Sequence, residues 1–193
     1  MADGDAGVIL GGHDSDIFAA SLGRTLAVTG SYDTTLGVFA LPSGERKLTL
    51  RGHWHGVRAV DLSADETRIA SGSWDKTVRL WNSRTGALEA VLRGHQSSIT
   101  AVSFSPSGQR LASASWDGEL VVWDVGNHSQ LLRQEHVENG PRSIEWFGEE
   151  VLRIGGTRMT RVDLEPGPLD GKRGVWFDGV NVQRVDFGGP PVE

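Results

Sequence analysis

A histidine, two serines and an aspartate recur at fixed spacing in this chain of 193 residues. His53, Ser71, Ser73 and Asp75 form one set, and His95, Ser113, Ser115 and Asp117 form a second, 42 residues further on at every position. These are the residue types of nucleophilic catalysis, in which a histidine takes the proton of a serine and an aspartate holds the imidazole in the required tautomer. A tryptophan follows each aspartate after six residues, Trp81 and then Trp123. A weaker first set has His13 and Asp33, 20 residues apart instead of 22, with Phe39 in the tryptophan slot. A catalyst needs one constellation at one cleft, whereas a structural network is needed once per repeating unit. The recurrence therefore favours a structural role for these residues.

The elements that must carry these side chains are short strands. Residues 52–82, GHWHGVRAVDLSADETRIASGSWDKTVRLWN, are restated at 94–124, and a period of this size marks a repeat architecture whose units bury their apolar faces on one another. Alternation and turn chemistry predict strands over 57–62, 68–73, 77–81 and 88–92, with turns at 63–66, 74–76 and 83–86. Each unit is then a four-stranded antiparallel meander. The units fall at 11–50, 51–92, 93–134 and 135–164, after an N-terminal segment at 1–10. The fourth is degenerate: it has strands at 143–147, 151–154 and 160–164, Arg158 in the turn-aspartate slot, and no following tryptophan. Residues 165–193 begin with a Pro/Gly turn region. Asp178-Gly179 then supplies the turn of a hairpin between 175–177 and 180–182, before a Gly/Pro tail. That hairpin is either the outer part of the fourth unit or the start of a fifth.

Composition narrows the function. A formal charge of −6 and a pI near 5.5 argue against nucleic acid as a partner, because phosphate-backbone binding needs a basic face. The absence of cysteine excludes disulfides and thiolate metal sites. Asp14-Ser15-Asp16 has no third ligand at suitable spacing, and no phosphate-cradling Gly-rich loop occurs, so no metal and no cofactor are expected. The start of the chain has no basic region, and its apolar run, Val8-Ile9-Leu10, is too short for a signal peptide or a membrane span. The expectation is a soluble intracellular protein, cytoplasmic by default with nucleus or organelle left open, and no membrane partner.

A Gly-His pair, an Asp about 22 residues on, and a Trp-Asp pair closing the third strand, kept as Trp123-Asp124 and altered to Trp81-Asn82 and Phe39-Ala40, resemble the WD-repeat β-propeller family across residues 8–164, most closely in the second and third units. The resemblance implies an all-β fold of four-stranded blades set radially around a channel, each unit's fourth strand preceding the next Gly-His. It also makes Val8-Ile9-Leu10 a closing fourth strand. Members close rings of about seven or eight blades, whereas this chain supplies four, or five with the hairpin. The expected ring is partial, to be finished by a second copy, a partner chain or further sequence. In the family the recurrent residues form a hydrogen-bonded chain from the strand-three tryptophan through a strand-two hydroxyl to the histidine and the turn aspartate. Ser71 and Ser73 share a strand face, as do Ser113 and Ser115, so spacing leaves open which serine joins.

The resemblance further implies a partner-gripping rim where the turns between strands two and three meet the Gly-His loops. Tyr32, Trp74 and Trp116 precede the turn aspartates at that end, with Trp54 and His55 on the loop. Large aromatics are enriched in binding hot spots; the other reading is that each ring packs on its own blade. Arg58, Lys76 and Arg79 could add cationic contacts. The expected function is a non-catalytic scaffold that binds other proteins or peptides. The alternatives are a structural subunit of a large assembly docked through blade edges, including a homodimer, or a hydrolytic enzyme framed by the propeller.

Overall fold

The computed structural model describes residues 9–135, 141–149, 151–155, 159–163, 173–177 and 182–186. Seventeen strands form four antiparallel sheets, each in simple sequence order, and no helix occurs among the described residues. The first sheet holds β1 (Ile17–Leu22), β2 (Leu26–Ser31), β3 (Leu36–Ala40) and β4 (Arg46–Leu50). The second holds β5 (Val57–Leu62), β6 (Arg68–Ser73), β7 (Val78–Asn82) and β8 (Leu88–Leu92), and the third β9 (Ile99–Phe104), β10 (Arg110–Ser115), β11 (Leu120–Asp124) and β12 (Gln130–Gln134). The fourth has five strands, β13 (Ser143–Phe147), β14 (Val151–Gly155), β15 (Met159–Asp163), β16 (Arg173–Phe177) and β17 (Val182–Asp186).

One open alternative closes here in favour of the outer part of the fourth unit, and one expectation changes. The C-terminal hairpin is not a unit of its own: β15 pairs with β16 and β16 with β17, so both strands extend the fourth sheet, and no fifth blade exists among the described residues. Strand β17 begins at Val182, while the Asp178-Gly179 turn lies outside the described residues, as do His136, Arg158 and Val8. Ile9 and Leu10 belong to no strand, and Ile9 is exposed. A strand gains its ladder bonds only beside a partner, and none of the four sheets includes this segment.

Consecutive sheets lean on one another through their first strands: β5 packs on β1 and β2, β9 on β5 and β6, and β13 on β9. Central strands β2, β6 and β10 have the sequences LAVTGS, RIASGS and RLASAS and are buried beyond their first residue, because a neighbour covers both faces. Small side chains set the spacing. A Cβ on Gly72 would sit 2.4 Å from Ile99 of the next blade, so only glycine permits that approach. The core is thus a series of inter-blade layers: Val28, Leu36 and Val38 against Val57, Val60 and Trp81, then Ala70, Leu80 and Leu92 against Ile99, Val102 and Trp123. The last joins Ala112, Leu120 and Leu132 to Leu152, Ile154 and Trp146.

Polar staples reinforce the layers. Asp61 accepts the Ser21 hydroxyl of the first blade at 3.2 Å and the Phe104 amide of the third at 2.7 Å, so one carboxylate ties three blades. Glu66 accepts the Thr25 amide at 3.1 Å, and Glu149 the Ser107 amide at 2.7 Å, each clamping a turn of the preceding blade.

The arc is open. Among the described residues, no strand of the first sheet packs on the fourth as consecutive sheets pack. Ile17 and Leu22 hold the places of Val57 and Leu62 in the next blade, yet they are 46% and 71% exposed where Val57 and Leu62 are 0% and 9%. The leading face of the first blade is built like an inter-blade layer that no described blade covers.

Candidate functional site

In the second blade the indole Nε1–H of Trp81 donates to Ser71 Oγ at 2.9 Å, Ser71 Oγ lies 2.8 Å from His53 Nε2, and His53 Nδ1 lies 2.7 Å from Asp75 Oδ2. Proton positions follow from charge. Burial alone would raise Asp75, but hydrogen bonds from His53 and Thr77 outweigh it and hold the carboxyl well below its usual range. Asp75 is therefore an ionised acceptor, so His53 Nδ1 carries the proton. Burial pushes the His53 pKa down despite the neighbouring Asp75, so Nε2 is a bare acceptor for the Ser71 hydroxyl. The chain runs Trp81 to Ser71 to His53 to Asp75, with Trp81, Ser71 and His53 each donating once and Asp75 accepting at its end. Ser73 stands outside it, donating to the His55 carbonyl at 3.0 Å and accepting the Asp75 amide at 3.0 Å.

The first blade repeats this with Thr29 for serine, 2.7 Å from His13 Nε2, and with His13 Nδ1 2.8 Å from Asp33 Oδ2. Burial favours the neutral acid at Asp33, but hydrogen bonds from Thr35, Asp14 and His13 prevail and hold it ionised. Phe39 has no N–H, so the chain starts at Thr29.

The third blade departs from the expected order. Trp123 donates to Ser113 at 2.8 Å, and Ser113 Oγ lies 2.7 Å from His95 Nε2, but His95 Nδ1 meets Ser115 Oγ at 3.0 Å, not Asp117. Ser115 donates on to Asp117 at 2.6 Å. The cause is Glu119, in the slot where Thr35 and Thr77 bond their turn aspartates. Its Oε2 lies 2.8 Å from His95 Nδ1 but out of hydrogen-bond alignment, and its Oε1 pairs with Arg133. Burial pushes His95 down to about 4, against the pull of Asp117, and raises Glu119 against the pull of Arg133. The sequence reading missed Glu119; the visible signal was an acid where two sister turns have threonine.

Ser71, His53 and Asp75 stand at the distances of a catalytic triad, but Ser71 and His53 are buried. Ser71 Oγ is saturated by Trp81 and His53, so no substrate carbonyl can approach it. A histidine-centred chain in three blades, reaching the turn aspartate directly in the first two and through Ser115 in the third, locks the Gly-His loop to strands two and three.

The rim lies where these loops end. Backbone bonds join Tyr32 N to Asp16 O at 2.8 Å, Trp74 N to Gly56 O at 3.1 Å and Trp116 N to Ser98 O at 2.9 Å, which fixes each aromatic turn beside the start of its blade's first strand. Tyr32, His55 and Trp74 cluster across two blades, with ring centroids 5.2 to 6.0 Å apart. Phe18 joins them, 5.4 Å from Trp74 and 5.9 Å from Tyr32. The sequence reading missed Phe18, whose place is that of Arg58 in β5 and Thr100 in β9. Trp54 and Trp116 stand apart, 78% and 63% exposed. Trp116 instead shares a cavity of about 470 Å³ with Trp74, Arg58, Thr100 and Arg142. Arg79 does not belong to the rim: it is buried, its guanidinium 5.9 Å from the Trp81 ring.

Four stacked antiparallel sheets, the first three laced by a histidine-centred chain, define an arc of β-propeller blades. The family model for the WD domain, G-beta repeat, matches residues 44–82 and 86–124, and the chain carries WD40 repeats at these two positions. Each match runs from the fourth strand of one sheet through the third strand of the next. Among solved structures, one described as "Structure of U3-55K" superposes with a TM-score of 0.74 at 18% identity, covering 94% of this chain and 54% of the other. One described as "Crystal structure of RRP9 WD40 repeats" gives 0.74 at 19%, covering 93% and 53%. These likenesses show the fold, and this chain spans about half the length of those it matches. No curated protein sequence matches the chain. The WD40 fold is typically a protein-interaction scaffold.

Proposed function

We propose that the chain is a non-catalytic interaction module that grips a partner peptide on the aromatic rim. The observation that carries this is Trp116, a large exposed aromatic on a turn pinned by backbone bonds, sharing one cavity with Trp74. A rigid, partly wet aromatic gains most from burial against a partner. Histidine-centred chains in three blades, two of them Ser/Thr-His-Asp and the third passing through Ser115, support the non-catalytic part. The test is affinity for peptides selected on the folded protein. Trp116→Ala removes no core contact and should weaken them about thirtyfold, a hot-spot loss of about 2 kcal/mol. Unchanged affinity, with the thermal transition unmoved, would refute the rim.

A second reading has its own observation, the exposed Ile17 and Leu22 on the leading face: there the chain docks edge-on in a larger assembly. Under that reading Ile17→Lys/Leu22→Lys abolishes complex formation while rim variants leave it intact, as read by molar mass in solution.

A further inference from the structure

We infer that the cavity between the second, third and fourth blades is a binding site for an acidic peptide, with Arg58 and Arg142 as its specificity-determining residues. The inference rests on the rim reading and deepens it. Arg58, Thr100 and Arg142 follow one another at steps of 42 residues, and all three line the cavity with Trp74, Trp116 and the Ser97-Ser98 turn. No acid is among the lining residues, and among the described residues neither arginine makes an ion pair. Two guanidiniums near two indole rings, without an acid partner among the described residues, on a chain of net charge −6 are a local inversion of the protein's overall charge. A guanidinium offers a planar fork that fits carboxylate, and its weak hydration makes the exchange of water for carboxylate favourable. The indoles take an apolar side chain beside the acid.

The volume, about 470 Å³, lies within the range of ligand pockets and suits a few residues of an extended chain rather than a folded domain. Single-stranded nucleic acid would also stack on indoles, but its affinity depends on a groove of cations following the backbone. Here two arginines sit in an otherwise acidic protein, which favours aspartate and glutamate as the anions.

The test pans a random library of 12-residue peptides on the whole chain and measures the enriched peptides by fluorescence anisotropy, with a dT oligomer of equal length as a second probe. The enriched set should carry two or more Asp or Glu beside an apolar residue, bind more weakly as salt rises, and lose about tenfold or more in affinity on Arg58→Gln/Arg142→Gln. Arg142→Gln alone changes an exposed side chain, so it keeps the test readable if the double variant is unstable. Enrichment of neutral or basic peptides, an affinity indifferent to both arginines, no enrichment at all, or tighter binding of the oligomer overturns the proposal. If the arginine variants bind normally while Trp116→Ala does not, the acidic ligand is wrong and the rim stands. If Trp116→Ala also binds normally, both are wrong.

Discussion

Ser71→Ala removes a single hydroxyl from the middle of the second blade's polar chain. That hydroxyl accepts from Trp81 Nε1 at 2.9 Å and donates to His53 Nε2 at 2.8 Å, and all three residues are buried. Its loss strands one donor and one acceptor away from water, each at about 1–3 kcal/mol, so the substitution should destabilise the protein by about 2–5 kcal/mol. Urea denaturation reads this as a lower midpoint at unchanged m-value. The decisive measurement is a double-mutant cycle with Trp81→Phe, which keeps a ring and deletes the N–H, as Phe39 does in the first blade. Without that donor, Ser71→Ala strands only His53, so its cost should drop by about 1–3 kcal/mol. Additivity within about 0.5 kcal/mol would refute the idea that the hydroxyl relays between tryptophan and histidine.

Acidification should destabilise the chain through His95, whose folded pKa of about 4 lies below its ordinary 6.5. The unfolded state then binds the extra proton between those values, so this contribution is complete above pH 6.5 and is lost as pH falls towards 4, to a total of about 3 kcal/mol. The raised Glu119 and Asp61 act in the opposite sense and offset part of it; unfolding midpoints at pH 7, 6 and 5 should fall steadily in wild type and less in His95→Asn. Lys76→Gly should raise the melting temperature, by about 0.5–1 kcal/mol in stability, because Lys76 has φ 69° where the sister turn has Gly118 at 82°; a lower melting temperature would contradict this. Asp61→Ala leaves the Phe104 amide and the Ser21 hydroxyl without their acceptor and should cost about 2–4 kcal/mol, with faster amide exchange in both the first and third blades; an effect confined to the second blade would contradict the staple.

The blades were legible in the sequence because strand periodicity and the 42-residue step reinforce each other at Gly-His, Asp and Trp. Strand ends shifted where side chains act on turns: Thr77, taken for the first residue of a strand, bonds Asp75 at 2.6 Å, and β7 starts at Val78. What the sequence did not disclose are contacts between blades, since two residues about 40 apart give no local pattern when they meet. Asp61 looks in the sequence like one more polar strand residue, and Phe18 like one more apolar one. At the rim, type and position pointed to aromatics on turns. The division into a packed cluster of Phe18, Tyr32, His55 and Trp74 and an exposed Trp116 depends on how two blades lie side by side.

The stagger between repeat and sheet has a consequence of its own. The matched segments 44–82 and 86–124 each lend an outer strand to one sheet and three inner strands to its successor, so every unit is threaded through two neighbours like a link in mail. Excising or duplicating the 42 residues between one Gly-His and the next would alter the number of blades by one and leave every remaining ladder with a full set of strands. Excision between the matched borders, from 44 to 85, would instead leave the first three strands of one sheet beside the fourth strand of another.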